Sequence, residues 1–433
     1  GQDNVIDEVV WVVGDEAILK SDVENERLNA QYEGRKFDGD PYCIIPEQLA
    51  IQKLFLHQAA IDSIEVSEQE IISDVERRTN WLIDQIGSKE KVEEYYNKTS
   101  TQIREMLREN IRDGKTVQKM QQQIVGDIKI TPAEVRRYFK DLPQDSIPFI
   151  PTQVEVQIIT MEPKIPQEEI ERVKKTLRDY TERVTSGEIA FSTLARLYSE
   201  DEGSRRRGGE LGFMGRAELV PEYANVAFNL QDPNKVSKIV ESEFGFHIIQ
   251  LIEKRGDRIN TRHILLKPKV DEKDLEAALL RLDSIANDIR NEKFTFDDAA
   301  TYISHDKDTR NNHGLMANPQ TGTARFEMQQ LAQVSQEAAK MVEGMNVGEI
   351  SKPFTMINAK GKEICAIVKL KTRLNGHKAT ITEDYQRLKG IVMEKRSEEK
   401  LDKWIKDKQK HTYVRINEKW QKCDFKYPGW VKK

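Results

Sequence analysis

Two histidines sit inside apolar, strand-like runs: His247 in "EFGFHIIQL", residues 243 to 251, and His263 in "NTRHILLKP", residues 260 to 268. A histidine flanked by Ile-Ile or Ile-Leu-Leu is either a satisfied core residue or one wall of a site. Two carboxylates end helix-like stretches nearby in sequence, Asp201 in "YSED" and Asp306 in "ISHD". The two histidines are therefore halves of one site, members of two sites, or core residues. His263, His305, Asp306 and His313 also have ligand chemistry, but strand and loop do not supply the helical or hairpin spacing of a zinc site. No serine-nucleophile elbow, phosphate-binding loop or dinucleotide fingerprint is present. The residues call for no metal and no cofactor.

The elements that must position these groups belong to a chain of 433 residues, long enough for about three domains at roughly 150 residues each. Lys and Arg number 68 against 73 Asp and Glu. That balance points away from nucleic acid as a partner. No apolar run approaches the ~18 residues of a membrane span, so stable membrane insertion is not expected. The N-terminal "GQDNVIDEVVWVVGD" has no basic stretch followed by an apolar core, which fits a cytosolic protein or a secreted one whose signal has been removed. Three cysteines exclude a disulfide scaffold. Cys43 and Cys423 lie in irregular aromatic stretches near the two ends, and either they pair in an oxidising compartment or all three thiols are free.

Helical periodicity dominates residues 46 to 140, with capping boxes at Ser21/Glu24 and Ser67/Glu70 and a Thr131-Pro132-Glu134 start. The proline-rich "DLPQDSIPFIP", 141 to 151, reads as a linker. Beyond it the order is strand, helix, second helix, Gly-rich turn, short helix and strand. The same order returns about 105 residues later: Phe191 matches Phe296, "YSED" matches "ISHD", and "GEL" matches "GLM". Such an internal duplication is a stronger signal than any motif inside it. A long charged helix and an aromatic tail follow, and the helix is expected to pack on the N-terminal helices because it cannot be stable alone.

The repeated unit resembles the parvulin family of peptidyl-prolyl isomerases through "HIL", "F…LA…YS.D", "GG.LG", "LVPEY" and "FGFHII". Two such units between helical flanks resemble the SurA-type periplasmic chaperones of Gram-negative bacteria. The fold expected is multidomain: a mostly helical chaperone domain built from both termini plus two α+β parvulin-like domains. The boundaries expected are 1–150 for the N-terminal helical region, 151–256 and 257–373 for the parvulin-like domains, and 374–433 for the C-terminal helix and tail.

The resemblance makes His247 and Asp201 the polar floor of the first site, with Gln157 in the slot of the first family histidine. It makes Leu211, Met214, Leu219, Tyr223 and Phe228 the apolar wall that grips a proline ring. An amide at Gln157 hydrogen-bonds but cannot titrate or exchange tautomers, so a groove with reduced rate is expected. The second unit keeps His263 and Asp306 but has Ala366 where the last histidine belongs. In its polar insertion Met316, Phe326 and Met328 either line a cleft or only pack. Each site is then half-furnished, and His247 and His263 do not form one dyad. Arg205, Arg206 and Arg207 read as solvated surface.

The function implied is a periplasmic chaperone for unfolded outer-membrane proteins, or for proline- and aromatic-containing peptides, with weak or absent isomerase activity. A genuine isomerase acting mainly through the first unit, and a non-catalytic scaffold, are the alternatives. Oligomeric state is not legible.

Overall fold

The computed structural model describes residues 7–432. They form two compact units, one within Gly1–Leu142 and Thr380–Lys433, the other spanning Pro143–Ala379. Among the described residues no helix is long and apolar enough to cross a membrane.

The terminal unit opens with the hairpin β1 (Val9–Val13) and β2 (Glu16–Leu19). Helices α1 (Lys20–Tyr32), α2 (Pro41–Ile61), α3 (Glu68–Ile86), α4 (Lys89–Tyr96), α5 (Ser100–Val125) and α6 (Pro132–Asp141) follow. From the far end of the chain come α14 (Ile381–His411) and β13 (Val414–Ile416), and β13 pairs with β1 to close a sheet of order β13-β1-β2. Val10, Trp11, Ile18, Ile45, Phe55, Met120, Ile405 and Trp430 share one core, in which Trp404 stacks on Phe55 at 4.7 Å.

Caps explain most helix starts: Ser67 accepts from the Glu70 N–H at 3.3 Å and Thr131 from the Glu134 N–H at 3.2 Å. The Ser21/Glu24 box does not form. Helix α1 begins at Lys20, the Asp22 carboxylate takes the Leu19 N–H at 2.9 Å, and Ser21 turns to Asp7. A disulfide joins Cys43 on α2 to Cys423 in the tail. One turn along α2, buried Glu47 accepts from the backbone N–H groups of Lys426 and Tyr427, each at 2.9 Å, and from Trp430 Nε1 at 2.7 Å.

In the central unit the linker stretch is partly ordered, because β3 (Phe149–Ile150) pairs with β12 (His377–Lys378). The first repeat supplies β4 (Gln153–Met161), α7 (Gln167–Thr185), α8 (Phe191–Tyr198), β5 (Glu210–Gly215), α9 (Pro221–Ala227), β6 (Val240–Ser242) and β7 (Gly245–Arg255). The second supplies β8 (Arg258–Leu266), α10 (Glu272–Arg290), α11 (Phe296–Tyr302), β9 (Phe326–Glu327), α12 (Met328–Val334), α13 (Gln336–Glu343), β10 (Phe354–Ile357) and β11 (Glu363–Leu374).

The repeats do not fold as two consecutive domains. The sheets have orders β5-β8-β7-β6 and β10-β11-β4-β9, so each repeat gives its first strand to the other. Strands β7 and β8 are joined by only Gly256 and Asp257, and a two-residue Gly-Asp turn makes its flanking strands an antiparallel hairpin. With β8 committed to β7, β4 completes the second sheet against β11. The expected boundary at 256/257 thus falls inside a hairpin.

Helices follow their sheets. Val173 and Leu177 of α7 and Phe191 and Leu194 of α8 bury against Phe246, Ile248, Ile264 and Leu266. Leu282, Ala286 and Phe296 of α10 and α11 bury against Ile159, Met161, Cys365 and Ile367. One lobe is the contiguous segment 167–266. It is inserted between β4 and α10 of the other lobe, through the crossovers "EPKIP" (162–166) and "KPKVD" (267–271).

Candidate isomerase site

In the first lobe His263 on β8 lies directly across from Ile249 on β7, and His247 is two residues from Ile249. Side chains two apart share a sheet face, so the imidazoles meet diagonally, Nδ1 to Nδ1 at 3.0 Å. His263 Nε2 reaches Asp201 Oδ2 at 2.7 Å, and His247 Nε2 reaches Ser242 Oγ at 2.6 Å. Both imidazoles are buried. His247 and His263 are therefore one dyad, contrary to the expectation of two half-furnished sites.

With neutral rings one set of proton positions satisfies the chain. An ionised carboxylate only accepts, so His263 carries its proton on Nε2 and accepts at Nδ1. His247 must then donate from Nδ1 and accept at Nε2 from the Ser242 hydroxyl, whose oxygen takes the Phe244 N–H at 3.1 Å. Burial first, and the adjacent His263 second, push the His247 imidazole down to about 3. Burial pulls the Asp201 carboxyl upward, but the hydrogen bond and charge of His263, with the Ser204 hydroxyl at 2.6 Å, hold it well below the usual carboxylate range.

Local backbone fixes these positions. Gly209 has φ +87°, and its carbonyl accepts the His263 N–H at 3.0 Å; a Cβ there would run into the His263 carbonyl and stand 3.1 Å from Ala195 Cβ. Ser199 Oγ accepts from the N–H groups of Leu265 at 3.2 Å and Asp201 at 3.3 Å, tying the Asp201 turn to β8.

The same fastenings recur in the second lobe. Gly314 accepts the Ile158 N–H at 2.8 Å, and Ser304 accepts from Thr160 at 3.1 Å and Asp306 at 3.2 Å. These equivalences put Ile158, not Gln157, in the slot of His263. A one-residue slip in a strand moves a side chain to the opposite face, and Gln157 accordingly lies on the face of β4 opposite to the Ile158 slot: its Nε2 donates to Asp297 Oδ1 at 2.6 Å and to the His313 carbonyl at 2.9 Å.

The apolar wall is assembled beside the dyad. Tyr223 presents its ring edge-on to both imidazoles, centroids 5.5 Å from each, and its hydroxyl meets Thr261 Oγ1 at 2.7 Å. Burial pushes the Tyr223 phenol far up. Leu211, Leu219 and Phe228 pack partly buried around Tyr223, Ile249 and Ile259, and Arg216 covers Phe228 at 4.8 Å. Met214 is half-buried on β5, opposite Ile259. In the basic run Arg207 Nε donates to the Glu210 carbonyl at 3.2 Å and Arg205 lies 3.8 Å from Glu202.

The second site has neither imidazole. Ile158 and Ala366 hold the two slots, and Asp306 accepts from Thr309 Oγ1 at 2.6 Å. Phe326 and Met316 are buried and Met328 is packed against the same core, so these three fill the insertion rather than line a cleft. His263 and Asp306, expected to share a site, belong to different lobes. His305 Nδ1 accepts the Glu162 N–H at 2.9 Å and His313 Nδ1 meets Thr301 at 3.2 Å. Among the described residues no three His, Cys, Asp or Glu side chains are grouped to hold a metal ion.

Sequence reasoning missed Ser242, Ser204 and Thr261. It missed the dyad although the signals were present: the Gly-Asp turn, and the 105-residue offset of Phe191/Phe296, which carries His263 onto Ile158.

Two buried, hydrogen-bonded imidazoles lie beside Tyr223 and its apolar neighbours, and segments 158–253 and 263–372 match the family model of the rotamase class, the PPIC-type PPIASE domain. Each match starts in a strand that the fold assigns to the other lobe's sheet. Over its whole length the chain is similar to Chaperone SurA of Aliivibrio fischeri, with 24% identity across 95% of this chain and 92% of the relative. Chaperone SurA of Salmonella paratyphi A is 25% identical across 72% of this chain and 74% of the relative. A SurA-like chaperone structure from Campylobacter jejuni aligns over 95% of this chain and 99% of its own, with 8% identity and a TM-score of 0.30. The chain thus resembles the SurA-type chaperones over most of its length and carries two segments similar to the PPIC-type domain.

Proposed function

We propose that this chaperone acts in the periplasm on unfolded outer-membrane proteins and catalyses prolyl isomerisation at one site, in the 167–266 lobe, with the second lobe non-catalytic. The carrying observation is the unbroken chain from Ser242 through His247 and His263 to Asp201. The disulfide suits an oxidising compartment, and the SurA relatives support the chaperone reading.

Rotation of the X-Pro amide passes a barrier near ~20 kcal/mol because conjugation is lost, and no bond to the substrate is required. A pocket accelerates it by binding the twisted amide better than the planar one. Tyr223, Leu211, Leu219 and Phe228 supply apolar surface for the ring. The two hydrogen-bonded imidazoles supply a polar floor, and Asp201 and Ser242 hold them in place from either end. The activity expected is that of the genuine-isomerase alternative, not the weak or absent rate that a glutamine in the dyad would bring.

The test is cis-to-trans conversion of short X-Pro peptides by the full chain, alongside suppression of aggregation of an unfolded outer-membrane protein. Turnover should be lost in both His247→Ala and His263→Ala and kept in Gln157→Ala. Turnover that survives His263→Ala would remove the shared dyad; failure to suppress aggregation would remove the chaperone reading.

A further inference from the structure

Two clefts in the terminal unit adjoin, sharing Glu26 and Asn110, and they differ in charge. The first, about 450 Å³, is walled by Arg35, Arg77, Arg78, Glu33 and Asp74. Its charges cancel locally: Arg77 pairs with Asp74 at 2.9 Å, Arg78 and Arg35 each with Glu33 at 2.5 Å, and Arg78 lies 4.5 Å over the Trp81 ring. The second, about 460 Å³, runs between α1, α2 and α5.

The second cleft is lined by four carboxylates, Asp22, Glu26, Glu109 and Asp113, and one ammonium, Lys53; Glu26 at its edge is paired with Arg35 at 3.9 Å, which leaves Glu109 and Asp113 as its central acids. Lys53 is engaged by Glu16 at 3.2 Å. Burial pushes the carboxyls of Glu26 and Asp113 upward, in both cases against the pull of a nearby cation. Its floor is apolar, with Ile18, Ile45, Leu49, Leu56 and Met106, and Asn25, Gln48, Gln52 and Asn110 set side-chain amides along the walls. Each amide both donates and accepts, as a polypeptide backbone requires of a partner that reads no sequence.

We infer that this cleft receives an extended segment of unfolded polypeptide bearing a lysine or arginine beside apolar side chains, the cation lying between Glu109 and Asp113. Charge complementarity selects the occupant: a carboxylate-bearing segment would meet the same four acids and be repelled. The inference rests on the chaperone reading above and adds a preference to it.

The experiment uses the full chain and three fluorescent peptides of identical apolar sequence carrying Lys, Gln or Glu at the central position, measured by anisotropy at two salt concentrations. The Lys peptide should bind tightest and lose affinity with salt. Glu109→Gln with Asp113→Asn should weaken it about three- to tenfold while sparing the Gln peptide, since partly exposed ion pairs each contribute modestly. Lys53→Gln should strengthen it, a gain that misfolding cannot mimic. Equal binding of the three peptides, or Lys53→Gln without gain, overturns the inference. Aggregation assays run in parallel separate the two readings: suppression without lysine preference sinks only this inference, and preference without suppression leaves a peptide site on a protein that is not a holding chaperone.

Discussion

The proton chain makes the central unit sensitive to mild acid, through His247. In the unfolded chain an imidazole takes up a proton near pH ~6.5; in the folded lobe His247 does so only at about 3. Between those values the unfolded state binds more protons, so stability is full above pH 6.5 and is lost as pH falls toward 3. Over the step from pH 7.5 to 5.0 the linkage integral amounts to about 2 kcal/mol. Trp11, Trp81, Trp404, Trp420 and Trp430 are all in the terminal unit, which makes tryptophan fluorescence an internal control for that unit. Hydrogen exchange of β7 and β8 reads the central unit. Their opening free energy should fall by about 2 kcal/mol over this step in the wild type and by much less in His247→Gln, whose amide can both donate and accept. A histidine NMR titration placing His247 near its ordinary value, or an unchanged acid loss in His247→Gln, would refute the reasoning.

The strand exchange is open to crosslinking. Glu155 lies opposite Thr372, whereas in consecutive domains Glu155 would take the place of Asn260 opposite Glu253; Glu155→Cys with Thr372→Cys should form a disulfide on mild oxidation, and Glu155→Cys with Glu253→Cys should not. Gly209→Ala should destabilise the first lobe by at least ~2 kcal/mol and reduce turnover, because it combines a left-handed backbone with a collision against the strand of His263; a urea midpoint within error of wild type would contradict the packing. Reducing Cys43–Cys423 should lower the stability of the terminal unit by roughly 2–4 kcal/mol. The tryptophan-detected transition should shift while exchange of β7 and β8 stays put.

Element types were largely legible because apolar periodicity, caps and turns are local: Thr131 caps α6, Pro221 opens α9, and Gly187 follows the end of α7. The joining of both chain ends in one sheet, β13 on β1, depends on pairs such as Trp11 with Ile416, and nothing local fixes those. Asp201 and His247 were expected together because family motifs surround them, and His263 joins them in the structure, yet the dyad itself was lost to two small errors. Motif order was taken as spatial order, although a two-residue turn outranks it. Gln157 was placed in the histidine slot by residue type rather than register, and in a strand a shift of one residue exchanges the faces.

What selects the exchanged pairing is visible along β8, residue by residue. Arg258 binds Glu218 at 3.0 Å, Asn260 binds Glu210 at 2.9 Å, Thr261 meets Tyr223 at 2.7 Å, Arg262 binds Gln250 at 3.0 Å, and His263 joins Asp201 at 2.7 Å. All five partners lie in the first lobe. On β4 the side-chain partners are as specific to the second: Gln157 to Asp297 and Glu155 to Thr372. Restoring the consecutive pairing would strand most of these groups, several of them buried, at about 1–3 kcal/mol for each unsatisfied buried polar group. The apolar residues of the two strands are nearly interchangeable, Ile264 for Ile159 and Leu266 for Met161, so hydrophobic burial alone would tolerate either arrangement. The polar residues break that tie, and the same residues complete the proposed isomerase site: the side chains that commit β8 to the first lobe include the histidine that lobe lacks in its own repeat.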